Sequence, residues 1–235
     1  MTRKRRQWFP GAMYHIVCRG NRKTDLFLER RDYMKYLSLL DNAFHYSNFY
    51  LHAFCLMTNH LHLLIGTKED PPGKVMHSVN TMYASYFNKK YELSGHVFQD
   101  RYFASPISSS FALMKVSAYI HNNPREAFLT EHPEDYPWSS YYAYILSNDL
   151  PNTIVKEKQT RKLNYENREY IATRAPPNYQ EDPTLPEAYY KIGNLPLAFS
   201  KEKLTSLFPV PSHIHYKKYV EREWNLSCLV KEDKK

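Results

Sequence analysis

Cysteine is scarce in this chain: Cys18, Cys55 and Cys228 stand far apart, with no Cys-x-x-Cys pair. An odd and scattered set argues against a disulfide framework or a thiolate zinc site, and for a reducing compartment. Long hydrophobic runs are missing too, since none approaches the roughly 18 residues that a membrane span needs. The amino terminus, Met1-Thr2-Arg3-Lys4-Arg5-Arg6, lacks the apolar stretch of a secretory signal, so a cytoplasmic location is expected. Internal repeats and low-complexity tracts are absent from the 235 residues, and 43% hydrophobic with 24% charged residues suits an ordinary globular core rather than a disordered or fibrous chain. Acidic residues are in deficit, 24 Asp and Glu against 32 Lys and Arg, for a net charge of +8. A basic surface attracts polyanions through phosphate contacts and counterion release, which makes nucleic acid a candidate ligand.

The apolar pattern gives an ordered set of elements. Residues 13–18 form a short buried strand closed by Arg19-Gly20-Asn21, and residues 30–46 carry Tyr33, Tyr36, Leu37, Leu40, Ala43 and Phe44 at helical spacing. Residues 51–57 and 60–66 are apolar runs joined by Thr58-Asn59, as in a tight antiparallel hairpin. After Pro71-Pro72-Gly73 a second helix shows Val75, Val79, Met82, Tyr83, Tyr86 and Phe87 on one face, and a strand-like stretch runs from Val97 to Ile107. A third helix begins at Ser108–Ser110 and is expected to end at Asn122-Asn123, because Pro124 cannot continue the hydrogen-bond ladder. The order β-α-β-β-α-β predicts an α+β fold, a ferredoxin-like split β-α-β antiparallel sheet with helices on one face. Eight of the 15 prolines fall in residues 151–235, where the one helical stripe is Ile214, Lys217, Val220 and Trp224. Two regions are therefore expected, a main domain over 1–146 and a Pro-rich, partly helical extension over 147–235 that packs on it.

In the second hairpin strand, period-two alternation puts His60 and His62 on one face, with Leu61 and Leu63 on the other. Paired imidazoles can chelate a divalent ion and leave positions open for a substrate oxygen, although a partly exposed strand face carrying two of the 11 histidines would look the same. On the third helix Tyr119 and Asn123 share a face, with Lys115 one turn earlier. A tyrosine hydroxyl can be a covalent nucleophile, an amide oxygen a metal ligand, and a lysine a phosphate partner. Packing is the default role of any one of 21 tyrosines, so Tyr119 stands out only through its neighbours. His15 and His96 read as satisfied polar side chains, and His121 falls on a different helix face from Tyr119.

Five stretches bear a family likeness: Pro10-Gly11-Ala12-Met13-Tyr14-His15-Ile16 with Arg19-Gly20-Asn21; Met57-Thr58-Asn59-His60-Leu61-His62-Leu63-Leu64; Gly95-His96-Val97-Phe98-Gln99-Asp100-Arg101-Tyr102-Phe103; Tyr119-Ile120-His121-Asn122-Asn123-Pro124; and Tyr136-Pro137-Trp138-Ser139-Ser140-Tyr141. In this order they resemble the single-tyrosine transposases of the HUH superfamily, in particular the IS200-like and REP-associated tyrosine transposases, which cut hairpin-flanked single-stranded DNA. The resemblance implies that His60 and His62 are the HUH pair, Asn123 the third ligand of a divalent metal ion (Mg²⁺ or Mn²⁺), and Tyr119 the nucleophile. One departure stands out. The family commonly has Asn-Pro-Val-Arg-Ala-Gly after the tyrosine, where this chain has Asn123-Pro124-Arg125-Glu126-Ala127-Phe128.

The activity so implied is a metal-dependent single-stranded DNA endonuclease and strand transferase with a 5′-phosphotyrosine intermediate. Candidate DNA contacts are Arg3, Lys4, Arg5, Arg6, Arg19, Arg22, Arg101 and Lys115, with a monomer or homodimer expected. The alternatives are a non-catalytic hairpin-binding protein, a hydrolase using water as nucleophile, and a replication-initiator or relaxase-type nickase.

Overall fold

A computed structural model describes residues 8–146, 195–196 and 198–232. Arg3, Lys4, Arg5 and Arg6 and the proline-rich stretch of 147–194 lie outside the described residues. Strand β1 (Met13–Arg19) alternates: Tyr14, Ile16 and Cys18 are buried, while Met13, His15 and Val17 are half-buried. Strands β2 (Phe49–Leu56) and β3 (His60–Thr67) follow as a hairpin, closed by Met57 N–H donating to the His60 carbonyl at 2.8 Å. With β4 (Phe103–Ile107) they form one antiparallel sheet in the order β2-β3-β1-β4, the ferredoxin-like arrangement. The sheet's β2 edge is covered, because Leu51 exchanges backbone hydrogen bonds with Ala198 and Ser200, and Phe54 and Leu56 accept and donate respectively to Ser140 and Trp138.

Helices α1 (Arg30–Phe44) and α2 (Pro72–Lys90) cover the face of Tyr14, Ile16 and Cys18. Tyr36 Oη donates to Asn80 Oδ1 at 2.9 Å, and Asn80 Nδ2 reaches Cys18 Sγ at 3.3 Å, which ties both helices to the sheet. Each helix start has a local cause. Glu29 and Asp32 form a capping box at α1, and Pro72 opens α2, where a missing N–H costs nothing. Asp32 is fully buried, yet its carboxyl is held below the ordinary range against the cost of burial, by hydrogen bonds from Lys90, Tyr91 and the backbone of Leu28 and Glu29.

Helix α3 (Ser110–Glu126), capped by Ser109 Oγ accepting from Ala112 N–H at 3.1 Å, crosses the opposite face. The expectation of helices on one face therefore describes α1 and α2, and α3 adds a layer behind the sheet. That helix also outruns its expected end at Asn122-Asn123. Pro124 sits in the last turn, where its missing N–H removes a single hydrogen bond, while Ala127 N–H donates to the Asn123 carbonyl and Leu129 N–H to the Pro124 carbonyl. The expected strand from Val97 is shorter than read: 97–102 meet β1 only at its last residue and just beyond, through Gln99 N–H to the Arg19 carbonyl and Asn21 N–H to the Val97 carbonyl.

Short helices α4 (Tyr141–Ile145) and α5 (Glu202–Thr205) precede α6 (Ser212–Glu232), which packs on α3 and α4. Of the expected stripe Val220 is buried while Ile214 is 44% exposed, and Tyr216 and Tyr219 complete the buried face. Tyrosine bulk sets that face. Tyr216 reaches His121 of α3, Nδ1 to Oη at 2.6 Å, and packs on Tyr144 with ring centroids 4.8 Å apart.

Candidate active site

Strand register builds the site from β1 and β3. The Cα of His62 pairs with Val17 and that of His60 with Arg19, so both imidazoles share the face of His15 and Val17, away from α1 and α2. Helix α3 lies over this face and brings Tyr119 to it. The Tyr119 ring meets His62 edge-on at 5.4 Å between centroids and His15 at 5.9 Å, while 44% of the residue stays exposed. One turn later Asn123 is buried, its Nδ2 donating to the Tyr119 carbonyl at 3.0 Å. Asn123 faces both His60 and His62 closely enough to favour their charged forms. His60, His62, Tyr119 and Asn123 are thus brought together.

Burial governs the electrostatics. It holds His60 below the ordinary imidazole range, with Asn123 opposing and Arg19 assisting. His62 lies further down, through burial first and then through the neighbouring His15 and His60. Both imidazoles are therefore neutral near pH 7 and able to act as ligands. His62 Nε2 is buried without a hydrogen-bond partner, and His60 Nδ1 lies 2.7 Å from Asn59 Oδ1, leaving its Nε2 for another role. Among the described residues no group of three or more His, Cys, Asp or Glu side chains is arranged to hold a metal ion. A cation here must draw on the Asn123 amide beside the two imidazoles, and this donor set, with an orphaned buried nitrogen at its centre, fits a divalent ion.

The glycine of Arg19-Gly20-Asn21 has a local reason. A Cβ on Gly20 would lie 2.0 Å from the Thr24 carbonyl oxygen, and Gly20 N–H donates to the Asn59 carbonyl at 2.8 Å. Leu26 and Phe27 N–H both donate to the Thr58 carbonyl, so this loop clamps the hairpin turn that precedes His60.

Of the candidate DNA contacts, Arg19 and Lys115 are exposed on the rim of the site, Lys115 with its ammonium 5.0 Å from the Phe111 ring. Arg22 is exposed in the turn after Gly20, and Arg101 is exposed beyond the Gln99 link to β1. The arginine that departs from the family pattern, Arg125, stacks on Trp224 of α6 at 4.6 Å. His121 is fully buried between Tyr216 Oη and Ser140 Oγ, outside the site as expected. Sequence reasoning missed His15 and Asn59. Alternation along β1 could have placed His15 on the face away from Tyr14, Ile16 and Cys18, but only the register with β3 shows that it meets His62.

Residues 9–123 match the family described as Transposase IS200 like. A comparison with curated proteins finds no match. Among solved structures, a REP-associated tyrosine transposase bound to a REP hairpin is similar at 16% identity and a TM-score of 0.55, over 64% of this chain and 89% of that one. A crystal structure of a candidate transposase from Deinococcus radiodurans R1 aligns at 18% identity and a TM-score of 0.35, over 52% of this chain and 97% of that one. The first of these likenesses shares the fold described above, and the segment 9–123 belongs to the IS200-like transposase family.

Proposed function

We propose that this chain is a metal-dependent single-stranded DNA endonuclease and strand transferase, acting on hairpin-containing DNA through a covalent 5′-phosphotyrosine at Tyr119. The observation that carries this reading is the meeting of a half-exposed Tyr119 with His62, at 5.4 Å between rings, on the helix face that also carries the buried Asn123 one turn later. A water-dependent hydrolase would have no use for a tyrosine so placed. His60, His62 and Asn123 would hold Mn²⁺ or Mg²⁺, which when bound stabilises negative charge on the scissile phosphate. Tyr119 Oη attacks the phosphorus in line: the Oη–P bond forms, the bond from phosphorus to the 3′ oxygen breaks, the phenolic proton passes to water, and the departing 3′ oxygen takes up a proton from water to leave as a hydroxyl. Attack by another 3′-hydroxyl reverses the step and rejoins strands, because the phosphodiester bond is conserved in the tyrosine ester.

Arg19, Arg22, Arg101 and Lys115, together with Arg3, Lys4, Arg5 and Arg6, are the proposed phosphate contacts. A hairpin substrate is suggested by the similar transposase whose structure holds a REP hairpin. Residues 1–146 are proposed as the nuclease domain and 147–235 as an extension that packs on it through α6. None of the described helices is long and apolar enough to cross a membrane, and a cytoplasmic site of action is proposed. The test is a denaturing gel of the full chain with hairpin-containing single-stranded DNA and Mn²⁺. A protein–DNA adduct that disappears in Tyr119→Phe, in His60→Ala and in EDTA is expected; cleavage that survives in Tyr119→Phe would point to water as the nucleophile instead.

A further inference from the structure

His15 Nε2 lies 2.9 Å from His62 Nδ1, and the two rings stack with centroids 5.1 Å apart at 25°. Two N–H groups cannot point at each other across that gap, so one nitrogen donates and the other accepts. If His15 donates, a neutral His62 carries its own proton on Nε2. If His62 donates, its Nε2 presents a lone pair instead. At His60 the corresponding choice is made by chemistry: Nδ1 faces Asn59 Oδ1, an oxygen that can only accept, so the lone pair falls on Nε2. At His62 the partner is another imidazole, able to play either part, and Nε2 is buried with nothing bonded to it.

We infer that His15 is a positioning residue: it accepts a hydrogen bond from His62 Nδ1–H and so holds His62 in the tautomer whose Nε2 lone pair can take a divalent cation. This rests on the proposed metal site. Metal-ligating histidines are commonly oriented in this way through their second ring nitrogen. The strand supplies His15 for geometric reasons. Tyr14, Ile16 and Cys18 are buried under α1 and α2, so the side chain between them must emerge on the other face, where its Cα opposes Leu64 and its ring reaches the diagonal neighbour His62. The same ring touches the edge of Tyr119 at 5.9 Å, so one residue braces a proposed ligand and the proposed nucleophile.

The test uses the full chain with ¹⁵N-labelled histidines. Long-range ¹H–¹⁵N spectra of the metal-free protein report which nitrogen of His62 is protonated, and the resonance of unbound Mn²⁺ in an EPR titration reports affinity. The wild type is expected to show His62 in the Nδ1–H form. His15→Phe should lose that preference and bind Mn²⁺ about 10- to 100-fold more weakly, whereas His15→Gln, whose amide oxygen accepts, should recover most of both. His62 protonated on Nε2 in the wild type, or Mn²⁺ affinity unchanged in His15→Phe, overturns the inference. Should the wild type bind no Mn²⁺ at all, the metal reading fails while the tautomer of His62 still decides for or against His15. The wild-type spectrum needs no variant, so a His15→Phe protein that does not fold leaves the test intact.

Discussion

Acid should loosen this fold through one buried imidazole, and the size of the effect follows from its surroundings. His121 is fully buried on α3, with Nδ1 2.6 Å from Tyr216 Oη and Nε2 2.8 Å from Ser140 Oγ. Burial alone pushes its pKa down to about 3. In the unfolded chain the same group titrates near its ordinary value of about 6.5. Between these values the unfolded chain binds a proton that the folded one refuses, so stability falls as pH falls from 6.5 towards 3. Each pH unit is worth about 1.4 kcal/mol, and pH 5 lies one and a half units below the upper limit, so about 2 kcal/mol should be lost between pH 7.5 and pH 5. Urea unfolding followed by tryptophan fluorescence at both pH values, for the wild type and for His121→Gln, isolates this term. Glutamine can bond both hydroxyls but does not titrate, and the remaining histidines contribute equally to both proteins. The wild type should lose about 2 kcal/mol more than the variant. An equal loss in the two proteins would refute the reasoning.

Three other expectations follow from local geometry. Phe128 holds φ at +55° just past the end of α3 while 93% exposed, so Phe128→Gly should relieve left-handed strain at no packing cost and raise unfolding stability by about 1 kcal/mol in the same urea assay. Gly20→Ala places a methyl 2.0 Å from the Thr24 carbonyl and should break the Gly20 clamp on Asn59, lowering stability by about 2–3 kcal/mol; a neutral result would mean that the loop moves aside freely. Lys115→Gln should weaken single-stranded DNA binding and reduce the slope of log affinity against log salt by about 0.7, as for one lost phosphate contact; an unchanged slope would remove Lys115 from the interface.

Much of the fold was legible because it rests on alternation and helical spacing. The hairpin around Thr58-Asn59 follows from two apolar runs joined by a tight turn, the shared face of His60 and His62 from period two, and the stripe of α1 from period 3.6. What could not be read depends on contacts between distant segments. The register of β1 on β3 decides that His15 meets His62, and no local pattern encodes a register. Helix α3 runs past Asn123 because a proline in a last turn costs only one hydrogen bond, which a rule about helix interiors overstates. The buried face of α6 keeps Val220 but centres on Tyr216, whose ring packs on Tyr144 and whose hydroxyl meets His121 on another helix. At the site, residue types and spacing brought out Tyr119 and Asn123 as one helical face, but their placement over β3 needed the sheet.

The most direct measurement is mass spectrometry of the trapped adduct. After reaction with a hairpin-containing single-stranded DNA in Mn²⁺, the DNA is digested by nuclease and the protein by trypsin, which releases Val116–Arg125, a peptide whose one tyrosine is Tyr119. Tyr119 as nucleophile requires this peptide to carry a nucleotide joined through its 5′-phosphate. The nucleotide on a peptide from elsewhere in the chain, or cleaved DNA with Val116–Arg125 unmodified throughout the reaction, would contradict it.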